Sequence, residues 1–380
     1  MSTLTAPVTT VAPLLITGTG VLSSAGQGLG TLQPSLPSGD APRADLSQIS
    51  DDLPPIALHA VADLNAEEYL GGKGIRHLDR TTKLALVACA RALAGLPVPL
   101  ADDDKPRTGV VIGTSTGSIR SSSEFSRDTL VQDKPYLVRA NLFPNSVMNC
   151  CAGQIAIRSK LRGVNATIAG GRLSSLNAIR YARNAIAGGH VDRALVGAVE
   201  ELCPQSAWGW HLSKALSSGA AVGEGCAVFM VERPEDAATA GRPALAQVLA
   251  CEVSSAGTGV HQGSLAAALS QCIERALRRS EVSADQVSSV SLGCSGHVGL
   301  ERIEERGVAG ALGALPARTL RITQRLGETF SASGSLQLAA LLAAWQEGPG
   351  DGEVALVTSV GTDGNVGCLV VRSPSARLSG

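Results

Sequence analysis

The sequence predicts a layered α/β fold, and two observations carry that prediction. Short runs of β-branched residues alternate with Ala- and Leu-rich amphipathic stretches along the 380 residues, which is the pattern of strands and helices packed in layers. The alternation then restarts after a segment rich in Pro, Ala and Gly at residues 234–243. We therefore expect two successive halves, residues 1–235 and residues 236–380.

The elements of the first half follow from local patterns. Runs of β-branched residues predict the strands, and apolar residues at helical spacing from Leu84 to Leu93 predict the first helix. Clusters of Pro, Asp, Gly and Ser predict the loops. Gly18 and Gly20 are expected to end the first strand. In order, we predict a strand over 14–17, a loop over 33–63, a helix over 79–94, a strand over 108–113, a turn and irregular connection through 133–135, a strand–turn–helix unit over 166–186, and strands over 193–199 and 226–232.

The second half repeats the same kinds of element. Its helices again show apolar residues on one face, and its strands are again Val-rich. In order, we predict a strand over 244–254, a helix over 264–279, a strand over 287–293, a helix from residue 300, a helix over 336–344, and a hairpin of residues 353–358 and 367–371. The charges from Glu301 to Glu305 are expected to face solvent or a neighbouring loop, and not to form an active site of paired carboxylates.

Composition argues against several classes of function. A net charge of −1 gives no electrostatic case for nucleic acid or an anionic membrane, and no apolar run approaches the roughly 20 residues that span a bilayer. The nine cysteines contain no CxxC pair and are interpreted as small buried hydrophobes in a reducing cytoplasm. The histidines show no metal spacing, and Gly18 and Gly20 lack a third glycine in phase, so we predict neither metal nor cofactor.

Several segments, in order along the chain, carry a resemblance to a known family. They are LITGTGV at 15–21, LDRTTKL at 78–84, GVVIGT at 109–114, AGQIAIR at 152–158, LRG at 161–163, the serines at 174 and 175, and VGEG at 222–225. Together they resemble the β-ketoacyl synthase family of the thiolase fold. The resemblance implies a duplicated five-layered α-β-α-β-α architecture with two similar halves.

The family's catalytic residues are replaced at each matching position. A ketosynthase uses a cysteine nucleophile at a strand-to-helix elbow, two histidines that assist decarboxylation, and a lysine. By position these fall on Arg172, Gly293, Glu328 and Thr323. A guanidinium has no thiol and cannot carry a thioester. Thr362 also replaces the phenylalanine of the family's glycine-rich gate, so we expect no catalysis at the vestigial site.

Within the family, the chain looks most like a chain-length factor, the non-catalytic ketosynthase β subunit of type II polyketide synthases. The Trp-Gly-Trp stretch at 208–210 fits that subgroup, whereas Arg172 departs from its usual glutamine. The resemblance implies a cytoplasmic heterodimer with an active ketosynthase, an acyl tunnel that sets polyketide or polyene chain length, and an acyl carrier protein as partner. The implied positions are Ser118, Ser121, Phe125 and Thr362 for the tunnel, and Pro144, Met148 and Gln154 for the dimer interface.

Other interpretations stay open at this point. Cys294 and His297 could act as a nucleophile and base at a different place in the fold, which would make the chain a stand-alone acyltransferase or malonyl decarboxylase. A homodimeric acyl-binding scaffold is a third possibility. The serines near residue 120 could belong to an ordinary loop with a helix cap. Arg172 is expected either to form a buried ion pair with Glu328 that fills the vestigial pocket, or to reach solvent or pair with Glu200 or Glu201.

Overall fold

The computed structural model describes residues 12–35, 46, 49–50, 52–62, 64–257, 262–348 and 350–375. Part of the predicted loop over 33–63, and the residues before 12, lie outside these ranges. The strands are β1 (Leu14–Ser23), β2 (Gly26–Gln27), β3 (Leu58–His59), β4 (Thr108–Thr114), β5 (Asn165–Ala169), β6 (Arg193–Glu200), β7 (Val222–Gly223), β8 (Gly225–Glu232), β9 (Ala246–Ser255), β10 (Val287–Ser291), β11 (Arg318–Leu320), β12 (Val354–Val360) and β13 (Asn365–Arg372).

The helices lie between these strands. They are α1 (Ala66–Leu70), α2 (Arg80–Ala94), α3 (Ile119–Val131), α4 (Phe143–Ser146), α5 (Cys150–Ser159), α6 (Ser174–Ala187), α7 (Pro204–Ser213), α8 (Pro234–Thr239), α9 (Gln262–Arg279), α10 (Leu300–Leu312), α11 (Thr323–Leu326) and α12 (Ser333–Glu347). Among the described residues, no helix is both long enough and apolar enough to cross a bilayer.

The strand order repeats between the two parts of the chain. The main sheet runs β11-β10-β12-β13-β9-β1-β8-β6-β4-β5, with β2 paired to β1. Read outward from the centre, β1-β8-β6-β4-β5 and β9-β13-β12-β10-β11 show the same order and the same sequence of antiparallel and parallel pairs. The two parts meet where β1 pairs with β9, from Leu14 opposite Val248 to Ile16 opposite Ala246. The division at residues 235 and 236 stays a prediction.

Apolar side chains are buried in layers on both faces of this sheet. Helices α6 and α12 contribute Leu176 and Leu341 to a central cluster that both parts of the sheet cover. Helices α2 and α5 pack outside the first part of the sheet, and α9 and α10 pack outside the second. Residues on every side of α12 are buried, as expected for a helix between two sheet layers. The predicted five-layered α/β fold is confirmed.

The first strand does not end at its glycines, so that prediction is wrong. Strand β1 continues through Gly18 and Gly20 to Ser23, because these glycines let helix α2 lie directly against it. A Cβ on Gly20 would lie 1.8 Å from the carbonyl oxygen of Ala88, and one on Gly18 would lie 2.9 Å from that of Ala92. The glycines mark a close approach of strand and helix.

Other boundaries also differ from the predictions. Helix α3 occupies the region predicted as a turn and irregular connection, because Ser118 caps it by accepting a hydrogen bond from the N–H of Ser121. The segment at 234–243 begins with helix α8, which has Pro234 in its first turn. Strand β3 lies within the predicted loop over 33–63, β10 ends at Ser291, and α12 extends beyond 336–344 in both directions.

Candidate functional site

The site predicted to be vestigial lies where loops from both parts of the chain meet. A 3₁₀ turn at Gly171–Leu173 leads from β5 into α6, and a second 3₁₀ turn at Phe330–Ala332 leads into α12. The loops that follow β10 and β12 complete the site. Side chains placed at the carboxyl ends of strands in this way converge on one region, as is usual in α/β proteins.

A buried ion pair forms the floor of this site. Nη2 of Arg172 lies 2.5 Å from Oε2 of Glu328, and the two side chains are 2 % and 3 % exposed. The other terminal nitrogen of Arg172 donates to the carbonyl oxygen of Gly293 at 2.9 Å. Burial is the largest single effect and disfavours the charged guanidinium, but the charge and hydrogen bond of Glu328, together with the nearby Cys294 and Glu304, outweigh it and raise the pKa of Arg172. The predicted ion pair is confirmed, and the alternatives of solvent, Glu200 or Glu201 as its partner are wrong.

Glu328 is held from several directions. Its second carboxylate oxygen accepts the N–H of Phe330 at 2.7 Å, its N–H donates to Ala221 at 2.8 Å, and its carbonyl accepts from Gly223 at 2.9 Å. Phe330 has a φ of 41°, which is uncommon for a bulky residue, and its ring centroid lies 5.9 Å from the guanidinium carbon of Arg172. These contacts fix the carboxylate where it meets Arg172.

Gly293 is packed so closely that a larger residue needs its neighbours to move. A Cβ there would lie 2.6 Å from Nε2 of Gln337 and 3.2 Å from the carbonyl oxygen of Thr358. The N–H groups of Gly293 and Cys294 donate to the Glu304 carboxylate at 3.1 and 2.8 Å. This loop is therefore anchored to helix α10 through Glu304.

Glu304 contacts the loop at Gly293 and Cys294, which is the second of the two alternatives predicted for the charges from Glu301 to Glu305, namely solvent or a neighbouring loop. The residue is 1 % exposed and also accepts the hydroxyl of Thr358 at 2.7 Å. Burial raises the pKa of Glu304, while its hydrogen bonds oppose that shift. The helical spacing offers a signal for this role, because residues 300, 303, 304, 307 and 308 form one buried face of α10.

A cavity of about 490 Å³ remains beside the ion pair. Trp210 forms part of its wall and meets the rings of Phe330 and His297 edge to face, at 5.5 and 6.1 Å between centroids. Glu200 also lines it and accepts the hydroxyl of Ser115 at 2.7 Å. Burial raises the pKa of Glu200 to about 7. The remaining lining residues include Thr116, Ile119, Arg172, Gln205, Ser206, Gly209, Ser213, Ala215 and the exposed Thr362.

Thr323 takes no part in the ion pair. It begins helix α11, is buried, and its hydroxyl has no hydrogen-bond partner among the described residues. Of the four vestigial positions, the structure joins Arg172, the Glu328 carboxylate and the Gly293 carbonyl by direct hydrogen bonds. Within the described ranges, no three His, Cys, Asp or Glu side chains come together as a metal site would require.

Cys294 and His297 are both directed to backbone carbonyls. The thiol of Cys294 is fully buried and donates to the carbonyl of Val360 at 3.5 Å, and burial raises its pKa well above the usual value. Nδ1 of His297 lies 3.2 Å from the carbonyl of Val298, and burial lowers the pKa of its ring. A buried thiol with a raised pKa is a poor nucleophile.

The four residues predicted for the tunnel do not line one common cavity. Ser118 and Ser121 line a second cavity, of about 370 Å³. Phe125 packs against Phe143 instead, at 5.8 Å between ring centroids, and Thr362 lines the first cavity. Their assignment to an acyl tunnel stays a prediction.

The residues predicted for the dimer interface lie on and before helix α5. Pro144 and Met148 are exposed, whereas Gln154 is half-buried. Gln154 lies on α5, which packs against the end strand β5, and Pro144 lies on α4, which in turn contacts α5. Their role in an interface also stays a prediction.

Comparison with known proteins identifies the family of the chain that contains this site. The family described as "Beta-ketoacyl synthase, N-terminal domain" matches residues 12–237. The chain belongs to the β-ketoacyl synthase family. One relative, 3-oxoacyl-[acyl-carrier-protein] synthase 2 of Rhizobium meliloti, is 27 % identical over 314 residues, which are 73 % of each chain. The chloroplastic 3-oxoacyl-[acyl-carrier-protein] synthase I of Arabidopsis thaliana is 24 % identical over 91 % of this chain and 79 % of its own.

Solved structures of ketosynthases share the fold over nearly the whole chain. The ishigamide ketosynthase/chain length factor matches with a TM-score of 0.84 and 33 % identity, over 96 % of this chain and all of that one. A β-ketoacyl synthase from Burkholderia phymatum STM815 matches with a TM-score of 0.83 at 19 % identity, over 96 % of this chain and all of that one. The site around Arg172 therefore lies in a ketosynthase fold that covers 96 % of this chain.

Proposed function

We propose that this ketosynthase-family chain is a non-catalytic subunit, of the chain-length-factor type, that pairs with an active ketosynthase in a type II polyketide synthase. It would form half of the dimer and part of the wall of the acyl tunnel, and thereby influence polyketide or polyene chain length. The acyl carrier protein that bears the growing chain would be its second partner. We place this assembly in the cytoplasm.

The observation that carries the proposal is the buried pair of Arg172 and Glu328. Arg172 stands where the family's nucleophile is expected, and its guanidinium is held by both Glu328 and the Gly293 carbonyl. No thioester can form on this side chain. Glu328, at a position expected for a catalytic histidine, thus neutralises the charge of Arg172, at the position expected for the cysteine. The match to a ketosynthase/chain length factor at 33 % identity supports the same proposal.

The surface beside strand β5 favours a partner subunit. This strand is at the end of the sheet, so one of its backbone edges has no neighbouring strand among the described residues. Ile157, on helix α5 that packs against β5, is 70 % exposed, and Phe143 and Met148, on the segment that leads into α5, are 58 % and 48 % exposed. An open strand edge flanked by exposed apolar side chains suits pairing with another chain. A ketosynthase of the same fold would offer a matching edge.

Co-expression with candidate ketosynthases tests the proposal. We expect a stable 1:1 heterodimer that elongates malonyl units, and we expect loss of elongation when the partner's cysteine is changed to alanine. Arg172→Ala in this chain should leave the elongation of malonyl units measurable in every heterodimer that still assembles. Size and mass analysis of the purified species, followed by product analysis, measures each outcome.

A self-sufficient enzyme would give different results. A homodimer that turns over acyl substrates alone, and loses activity on Cys294→Ala, would contradict the subunit proposal. An inert homodimer that binds acyl chains would favour a scaffold instead. The burial of Cys294 gives no support to the first of these outcomes.

A further inference from the structure

Residues 134–191 form a segment that has no acidic side chain. They include eight Lys or Arg residues and no Asp or Glu, although the net charge of the whole chain is only −1. Helices α4, α5 and α6 and strand β5 all lie in this segment. The segment therefore supplies the surface beside β5 that we propose for the partner, and its excess of positive charge is a local property of that part of the fold.

Some of these cations have a partner within the chain, whereas Lys160 and Arg162 do not. Arg139 pairs with Asp128 at 2.8 Å, and Arg158 donates to a backbone carbonyl at 3.0 Å. Lys160 and Arg162 are both exposed, and neither forms an ion pair with a carboxylate in the ranges that the structure describes. Their charges are therefore available to another chain.

Lys160 and Arg162 line a groove of about 620 Å³ between α5 and the 3₁₀ helix at Asp102–Arg107. Lys105 and Asp102 also line this groove, and they pair with each other at 2.5 Å. The hydrogen bond and charge of Lys105 lower the pKa of Asp102, and the charge of Lys160 adds a smaller effect in the same direction. The carboxylate of Asp102 is thus already bound by Lys105.

The other carboxylates of this 3₁₀ helix do not cancel the charge of the groove. Neither Asp103 nor Asp104 lines it, and Asp104 pairs with Arg193 at 2.7 Å. The lining therefore carries three cations and one carboxylate. A groove with this balance attracts negatively charged groups.

The groove is continuous with the proposed partner surface. Ile157 lines the groove, is 70 % exposed, and lies on α5, which packs against the end strand β5. Arg162 lies between α5 and the start of β5. The cations are thus at the edge of an apolar surface with an open strand edge. Charges in such a position influence partner choice and the rate of association more than the affinity itself.

Self-association and pairing with another protein make different demands on this surface. Two copies that pair about a twofold axis bring the same patch of each chain together. Residues 134–191 of one copy would then offer no carboxylate to Lys160 and Arg162 of the other. Cations that lose water without gaining an anion raise the free energy of the complex. A partner of the same fold that carries Asp or Glu on its matching face would supply the missing anion.

We propose that the groove lined by Lys160 and Arg162 accepts acidic side chains of the ketosynthase partner, and that its positive charge disfavours pairing between two copies of this chain. The inference rests on the proposed function and specifies the chemistry of the partner's surface. Attraction to an acidic partner and repulsion of a second copy together give specificity, because specificity is a difference between two affinities.

The test measures two association constants, that of the heterodimer with the active ketosynthase and that of self-association of this chain. Lys160→Gln combined with Arg162→Gln should weaken the heterodimer by about three- to tenfold at low salt, the effect of losing one or two exposed ion pairs. The same variant should self-associate more tightly than the native chain, because the unpaired cations are gone. Added salt should reduce the difference between native and variant heterodimers, since it screens exposed charges.

Lys214→Gln is the matched control for the change at Lys160. Both lysines are exposed and follow a ten-residue helix in the left-handed conformation, with φ of 54° at Lys214 and 58° at Lys160. This control should leave both association constants unchanged. Equal heterodimer constants for native and variant at every salt concentration, or a fall in both kinds of association, would overturn the inference while leaving the subunit proposal intact. Failure of the native chain to assemble with any ketosynthase would instead count against the proposed function.

Discussion

At the scale of single residues, the Arg172–Glu328 pair has consequences for stability. Removing one member leaves the other as an unpaired buried charge, which costs about 3–5 kcal/mol. We therefore expect Arg172→Met alone to lower the free energy of unfolding strongly. Arg172→Met combined with Glu328→Leu should recover most of that loss, because apolar residues of similar volume replace a buried pair well. Urea unfolding of the three proteins measures this difference.

The double-mutant comparison separates charge from packing. If Arg172→Met lowers the free energy of unfolding no more than the double replacement does, the pairing of the two charges is not what the stability depends on. Arg107→Met provides a control, because Arg107 forms a salt bridge with Asp192 but is 48 % exposed. Exposed pairs of this kind contribute about 1 kcal/mol or less.

The sequence could predict the Arg172–Glu328 contact because both positions follow from the family's spacing. A cation and an anion placed at facing positions of a buried site have few other partners. Glu304 could not be identified in the same way, because two of the hydrogen bonds that hold it come from the backbone N–H groups of Gly293 and Cys294, beside the one from the Thr358 hydroxyl. Backbone partners leave no side-chain pattern in the sequence. The edge-to-face contacts of Trp210 likewise arise only when α7 and the later loops are packed together.

At the scale of elements, the contact between β1 and α2 depends on a single missing methyl group. Gly20→Ala would place Cβ 1.8 Å from the Ala88 carbonyl oxygen, so the strand and helix must separate. We expect a loss of about 1–3 kcal/mol or more in the free energy of unfolding. Gly30→Ala is the control, because a Cβ added to Gly30 would have no described atom within 4 Å. A melting temperature for Gly20→Ala equal to that of Gly30→Ala would contradict the close approach.

Elements with strong periodicity were predictable, and those shaped by their neighbours were not. Helix α2 and strands β6 and β8 match their predictions because buried apolar runs determine them locally. The extension of β1 depends on contact with α2, which is distant in sequence. Helix α3 was missed because its serines have weak helix propensity, while its N-terminal cap and its contacts with α4 and α7 stabilise it.

At the scale of the whole molecule, the surface beside β5 yields a prediction about assembly. Ile157→Glu would place a charge on this proposed interface and should weaken association with the ketosynthase partner by at least tenfold, since burying an unpaired charge is costly. Leu212→Glu is the matched control, because Leu212 is 69 % exposed, close to the 70 % of Ile157, and lies on α7. Association constants from sedimentation or calorimetry measure both. Equal weakening by the two changes would argue against an interface at β5.

The duplicated architecture was predictable because the alternation of elements restarts along the chain. The meeting of the two parts through β1 and β9 was not, because it depends on a short antiparallel pairing between residues more than 200 positions apart. The proposed partner and acyl chain could not be identified from this one sequence. Their identity depends on surfaces of another protein.

The ion pair also bears on how this chain could evolve. Arg172 comes from one part of the duplicated fold and Glu328 from the other, so each residue constrains what the other can become. Arg172→Cys alone would place a cysteine at the position predicted for the family's nucleophile but would leave Glu328 buried without a cation, and Glu328→His alone would leave Arg172 without an anion. Either single step passes through a destabilised protein. On the proposed function, the buried pair would therefore obstruct a return to ketosynthase chemistry by single substitutions.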